Sequence, residues 1–516
     1  MLRTPALAAV LVLLPALAAT AANAPPARRA DPADGVQAYR LSHERAILQQ
    51  LDTLGRLRSV AADPAGLAAA AHTLLGWLTQ RGFQAQLIQT GAQAPPLVYG
   101  EWSRPGPRRT VIFYAHYDGQ PVVPAQWHSD PFVPQMRSAA LSAGGREVDW
   151  QTATPPFNPE WRLFGRAVAD DKASIIALLA AFDALRSLGR EPQVNLKVLW
   201  EGEEEAGSAH LQAALLANSS LLRSDLLVIG DGPVHQSRRP MLYFGARGML
   251  GLTLTIYGPL TPLHDGHYGN WAPNPAIMAT ALLASMRDQQ GRILIPGFSD
   301  QVRALTPTER QALAAVPVVD PILRRQFALG RTEAADGLAA SLMRPALNVR
   351  GLQSGQVGPT AANAIPATAG LSLDFRLVPD QTPAQIRAVV ERFLRARGWT
   401  IVTQEPDVAT RLAHARVVRV QWEPGYPAYR VDIGSPIMQA VQTAARRSGA
   451  GPLVLMPMMG ASVPMFLFAQ SLDVPIVGLP IVNYDDSQHA PDENLRLQNL
   501  WDGVQTYAAM MGTLNW

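Results

Sequence analysis

The chain is 516 residues long, 48% hydrophobic and 16% charged, which describes a globular protein too large for one ordinary core and predicts about two domains. A net charge of +3 spread over this length leaves no basic footprint for nucleic acid. No cysteine is present, so disulfides, thiolate metal sites and a cysteine nucleophile are excluded.

Residues 1–24 read as an export leader. Arg3 precedes the apolar run "ALAAVLVLLPALAA" (6–19), and small residues follow at "ATAANA" (19–24). The run is too short to span a bilayer and Pro15 interrupts it. A cleaved signal peptide and a bacterial periplasmic or secreted location, without stable membrane insertion, are therefore expected. Residues 25–38 follow as an N-terminal tail.

Strand and helix signals then alternate. "LAAAAHTLLGWLTQRG" (67–82) has helical periodicity and a glycine stop, and "TVIFYAHYD" (110–118) begins as a continuous apolar strand. "DKASIIALLAAFDALRSLG" (171–189) reads as a long helix, while "VNLKVLWEG" (194–202) and "DLLVIGDGP" (225–233) read as buried strands. This order predicts an α/β fold: a mixed, mostly parallel sheet with helices on both faces. Ligands of such sheets gather beyond the carboxyl ends of the strands.

The polar residues sit at those ends. "AHYDG" places His116 and Asp118 there, "VADDKAS" Asp170 and Asp171, and "IGDGP" Asp231. "EGEEEAGS" (201–208) packs four glutamates into five positions directly after an apolar strand, although like charges so close repel. "NYDDSQHAPDEN" (483–494) adds His489 after another apolar run. A lone His–Asp pair means little, but groups ending successive strands of one sheet converge. Only a cation makes that convergence favourable, and two divalent ions would do so.

The ordered set "HYD", "GRAVADDKAS", "EGEEEAGS", "DGP" and "QHAPDEN" resembles the M20 family of metallopeptidases, in its carnosinase, dipeptidase and carboxypeptidase branch, from about residue 40 to the end. The resemblance implies that Asp170 bridges two ions, with His116 and Asp231 completing one site and Glu205 and His489 the other. Nitrogen and oxygen ligands without sulfur fit zinc, with manganese or cobalt as alternatives. Asp118 would orient the His116 ring, and Asp171 matches the position of a cis peptide in the family. Glu204, immediately before the ligand Glu205, matches the general base. Strand alternation turns Glu201 and Glu203 away from the metals, as hydrogen-bonded support. Lys172, with Lys197 one of only two lysines, would tie down its turn or cap nearby carboxylates.

From residue 241 the pattern changes. "MLYFGARGMLGLTLTIYG" (241–258) alternates like an antiparallel strand, "APNPAIMATALLASMRDQQG" (272–291) is helical, and 369–398 reads as strand, turn and helix. These resemble the family's inserted α+β lid, through which two copies dimerise. The expected organisation is a catalytic domain over 39–240 and 426–516 with a lid over 241–425; 303–341 is an alanine-rich helical segment of unassigned purpose. In "PLHDGHYGN" (262–270), His264 would reach across the dimer to stabilise an oxyanion, and His267 would be a rim residue. In "DFRLVPD", Arg376 would clamp a substrate carboxylate, or else form a salt bridge within the lid. Asn363 lies where relatives carry a substrate-side threonine. One departure is "PMMGASVPMF" (457–466): Met458 and Met459 replace an arginine–glutamate pair, leaving Gly460 and Ser462 as substrate contacts. The methionines either line an apolar pocket or fill core.

The implied activity is metal-dependent hydrolysis of a dipeptide or C-terminal peptide bond, with an N-acyl amino acid as the alternative substrate. A catalytically silent binding homologue is the competing class, though no expected ligand or base is lost. A serine hydrolase is disfavoured because "MGASVP" lacks the GxSxG elbow.

Overall fold

The computed structural model describes residues 1, 32–106, 108–461 and 463–516. An eight-stranded sheet runs in the order Gln84–Ile88, Leu97–Trp102, Asn195–Glu201, Thr110–His116, Leu226–Ile229, Ile476–Gly478, Met241–Tyr243, Val454–Met456. Its four middle strands, Asn195–Glu201 to Ile476–Gly478, are parallel neighbours, and antiparallel pairing appears beside them. Parallel register aligns His116 with Glu201 and Tyr114 with Ile229, so the chain leaves all these strands along one edge.

The strand Thr110–His116 is buried on both faces because each face meets its own core. Val111, Phe113 and Ala115 join one cluster with the helices Pro32–Gly55, Pro64–Gln80, Lys172–Ser187 and Leu497–Thr513. Ile112 and Tyr114 join the other, with Leu211–Ala217 and Met465–Leu472. This is the two-residue period of a strand expressed as two separate cores. It also explains the unbroken apolar run in the sequence.

A second sheet runs Ala346–Gln353, Thr368–Leu377, Gly248–Tyr257, Val417–Tyr426, Thr400–Val402, antiparallel except for its last pair. Alternate residues Leu250, Leu252, Leu254 and Ile256 pack into a third core with the helices Pro275–Met286 and Pro383–Ala396. The second of these helices starts at a reciprocal capping box between Thr382 and Gln385, with Pro383 as its first residue.

Two expected boundaries move. The tail expected over 25–38 already contains helix from Pro32, with Asp34 in its first turn and Val36 buried. The lid strand expected from 241 is broken: Met241–Tyr243 lies in the eight-stranded sheet, parallel to Val454–Met456, and only Gly248–Tyr257 enters the second sheet. The local alternation is the same in both pieces, so the division depends on a partner two hundred residues away. The leader expected at 1–24 falls, Met1 apart, outside the described residues.

Candidate metal centre

Three chain segments leaving the edge of the first sheet converge with two loops. His116 ends its strand and is buried, and its Nε2 lies 3.0 Å from Asp170 Oδ1. On the other side of the same carboxylate, Asp170 Oδ2 lies 3.1 Å from His489 Nε2, which is also 3.2 Å from Glu205 Oε2. Two triads of potential ligand atoms result, His116–Asp170–Asp231 and Asp170–Glu205–His489, each with its atoms within 4.8 Å of one another. Asp170 belongs to both. The five groups singled out as ligands from the sequence are thus brought together.

The frame around them is specific. The Asp170–Asp171 peptide is cis, and the helix Lys172–Ser187 starts directly after it. Asp118 Oδ1 lies 3.4 Å from His116 Nδ1, and its Oδ2 accepts from the Glu205 backbone N–H at 3.0 Å, so one carboxylate links ligands from two strands. Glu201 accepts from the Tyr114 hydroxyl at 2.6 Å, and Glu203 lies 2.9 Å from His210 Nδ1. Among the described residues Lys172 caps no carboxylate: its ammonium donates to the carbonyls of Leu54 and Leu57 at 3.0 and 3.1 Å, tying the site helix to the end of Pro32–Gly55.

Three supporting residues were missed in the sequence. Glu493 is fully buried and accepts from the backbone N–H groups of Ala167, Ala169 and Asp170 and from the Arg166 guanidinium. Gln488 donates to Asp170 Oδ2 at 2.7 Å, and Gln120 donates to Glu205 Oε2 at 2.8 Å. Glu493 and Gln488 sit inside the quoted "QHAPDEN" neighbourhood, but a carboxylate that grips backbone amides has no signature in sequence.

The electrostatics demand a cation. Burial, reinforced by the Asp170 charge, pushes the Asp231 carboxyl up to about 7. Burial likewise raises Glu204 well above the usual carboxylate range, with Asp231, Glu205 and Asp170 adding to the effect while His116 opposes it. Asp170 alone moves down: burial opposes ionisation, but the His116 and His489 imidazoles outweigh it. Hydrogen bonds to Asp170 and Glu205 lift His489 to about 10. Carboxylates crowded this closely are held ionised by positive charge, which the His116 and His489 imidazoles supply to Asp170. Among the described residues, Asp118 Oδ1, apart from its 3.4 Å approach to His116 Nδ1, and Asp171 Oδ2 are buried without a hydrogen-bond partner. An all-nitrogen-and-oxygen donor set with a shared carboxylate fits divalent metal.

Of the residues expected on the substrate side, His264 and Asn363 lie apart from this cluster. His264 is 58% exposed and accepts from the Gly266 N–H, with the His267 ring 4.7 Å away. The Asn363 carbonyl accepts from the Asp265 N–H at 3.1 Å, so these two segments meet in the second unit. Among the described residues, neither His264 nor Asn363 bonds to the strand-end groups. Arg376 is half-buried and forms a 3.2 Å ion pair with Asp374. Met458 and Met459 are both buried in one core cluster, and Met459 and Gly460 also border a cavity. Ser462 lies outside the described residues.

A strand-edge cluster of two imidazoles and converging carboxylates defines a metal-dependent hydrolase. The chain belongs to peptidase family M20/M25/M40, whose pattern matches residues 112–513. It is similar to the Cys-Gly metallodipeptidase dug1 of Schizosaccharomyces pombe, at 27% identity over 81% of this chain and 83% of the relative. It is also similar to the Beta-Ala-His dipeptidase of Mus musculus, at 26% identity over 80% and 79%. An M20 metallo-carboxypeptidase from Sulfolobus solfataricus superposes with a TM-score of 0.71 at 25% identity, covering 91% of this chain and 99% of that one. Human carnosine dipeptidase 1 superposes at 0.72 and 22% identity, over 93% and 98%. The chain is accordingly an enzyme of the metallopeptidase class, with the two-unit α/β architecture of its structural neighbours.

These relatives correct one expectation. The periplasmic or secreted bacterial location was read from residues 1–24 alone, and similarity over four-fifths of the chain to eukaryotic dipeptidases contradicts it. An apolar run flanked by arginine and small residues is a short, weakly specific signal.

Proposed function

We propose that this protein is a dinuclear metal-dependent dipeptidase. The carrying observation is the shared carboxylate: Asp170 belongs to both ligand triads. His116, Asp170 and Asp231 would hold one divalent ion and Asp170, Glu205 and His489 the other, with zinc favoured and manganese or cobalt as alternatives. Bound there, the ions supply Lewis acidity that eases ionisation of water and polarises a carbonyl. Glu204, beside the triads but in neither, takes the proton from the attacking water and delivers it to the leaving amine. Asp118 holds the His116 ring in orientation, and Arg376 receives the free α-carboxylate of the substrate. The working division is a catalytic unit over 39–240 and 426–516 with a lid over 241–425, adjusted so that the helix from Pro32 and the strand Met241–Tyr243 go with the catalytic unit.

Metal analysis tests the core of this reading. About two divalent ions per chain should survive dialysis, and chelation should abolish dipeptide hydrolysis until metal is restored. Full activity in a folded, metal-free protein would end it.

The lid also presents a surface for a second copy. Trp271 is 77% exposed and Ile277 68%, close in sequence to His264. Large apolar side chains left in water in one region mark an interaction site. In a homodimer His264 would complete the partner's site and stabilise the tetrahedral oxyanion. Mixing inactive His264→Ala with inactive Glu204→Gln protein, under proven subunit exchange, should restore activity, because one site of each hybrid has both residues intact. No recovery would place His264 outside trans catalysis.

A further inference from the structure

A cavity of about 1030 Å³ opens beside the metal centre, between the helical segment 303–341 and the end of the strand Val454–Met456. It reaches the site at two points. Gln488, which lines it, donates to Asp170, and Met459, also lining it, covers the glycine next to Asp231: a Cβ on Gly232 would lie 2.8 Å from the Met459 methyl carbon. On its other wall Leu342 presses against Gly460, where an added Cβ would meet it at 2.8 Å. The cavity thus runs from the ligand edge into the segment whose purpose the sequence left open.

Its chemistry is apolar. Leu313, Val316, Val318, Leu342, Met456 and Met459 face it, and Val318 remains 79% exposed. The charged groups in the wall are already engaged. Asp336 pairs with Arg344, Asp320 accepts from the Leu338 N–H, and Arg324 donates to the carbonyl of Gly330. His235 is buried against the Ser237 hydroxyl, and burial pushes its imidazole down, which leaves it neutral. Arg310 and Arg324 in this wall donate to backbone carbonyls, Arg310 to Leu305 and Arg324 to Gly330, and an apolar side chain would cover Val318 and the thioether of Met459. The volume is in the range of small-molecule sites, about 300–1,000 Å³.

We propose that this cavity is the side-chain pocket of the enzyme, and that it selects dipeptides carrying a large apolar residue of leucine or phenylalanine size. The inference rests on the dipeptidase reading above. The segment 303–341 is then the specificity wall of the active site, and Met459 is the residue that joins pocket to metal edge.

The test compares kcat/KM of the metal-loaded enzyme for Leu-Gly, Phe-Gly, Gly-Leu, Gly-Phe and Gly-Gly. At least one placement of the large side chain should favour turnover over Gly-Gly by about tenfold or more. Val318→Asp, an exposed position whose change spares the core, should cut that ratio by about tenfold. Binding of Phe-Gly, Gly-Phe and Gly-Gly to metal-loaded Glu204→Gln protein, measured by calorimetry, should show the same order and the same loss with Val318→Asp added. Equal turnover and binding of Gly-Gly and the apolar dipeptides, or ratios indifferent to Val318→Asp, would overturn the pocket assignment. Absence of any dipeptide hydrolysis would instead overturn the dipeptidase reading, and the calorimetric comparison would still decide the pocket.

Discussion

Replacing Glu204 with glutamine is expected to lower kcat by about 100-fold or more while both metal ions stay bound. The expectation follows from position. Glu204 adjoins Glu205, yet only Glu205 belongs to a ligand triad. Glu204 therefore stands outside the candidate ligand set, where a base for a water at that edge is expected. The glutamine variant keeps the shape and removes the basicity, so KM should change little. Glu205→Gln should behave differently: it removes a ligand charge beside His489, and metal content should fall before any rate is measured. Parallel metal analysis and single-turnover kinetics separate the two. A Glu204→Gln enzyme that cleaves dipeptides at nearly the wild-type rate would move the base elsewhere, and a metal-depleted one would make Glu204 a ligand.

Dipeptides with free C-termini should be cleaved far faster than their amides. Arg376 Nε is held by Asp374 Oδ2 at 3.2 Å, which fixes the plane of the guanidinium. The neighbouring Arg247 is buried, and burial together with the Arg376 charge pushes it down to about 10. Two guanidinium charges in reach of one another, with Asp374 their nearby carboxylate, gain from a further anion. Amidation removes that anion and its charge-assisted hydrogen bonds to Arg376, a cost of about 1.5 to 3 kcal/mol, or roughly tenfold or more in kcat/KM. Arg376→Lys should erode the preference, mostly through KM, because an ammonium cannot reproduce the planar fork. Equal rates for acids and amides in the wild type would leave the Arg376–Asp374 pair as a purely structural bridge.

How much of this was readable in the sequence differs residue by residue. Parallel strands buried on both faces must discharge their polar residues at their ends, so His116, Asp231 and the 201–205 cluster announce themselves as apolar runs that stop abruptly. Glu493, Gln488 and Gln120 do not, because their partners are backbone amides or single ligand oxygens from distant segments. The placement of Met241–Tyr243 was misread for a related reason: strand alternation is local, whereas the choice of sheet is set by pairing with Val454–Met456. The two methionines at 458 and 459 left core and pocket open as alternatives; both are buried in one core cluster, and Met459 also borders the cavity. The leader was the least secure inference, since it rested on composition without any tertiary constraint.

Glu493 joins halves of the catalytic unit that stand 323 positions apart, by gripping the amide of Asp170. Everything in the second sheet is threaded between them. The candidate ligand set therefore spans residues 116–489, and on the ribosome it stays incomplete until His489 has emerged. Closing so long a loop is entropically unfavourable, and cations that bind only the closed arrangement draw the equilibrium toward it. A chain cut short before His489 would carry most of the fold and lack both His489 and Glu493, the one a candidate ligand and the other the grip on Asp170.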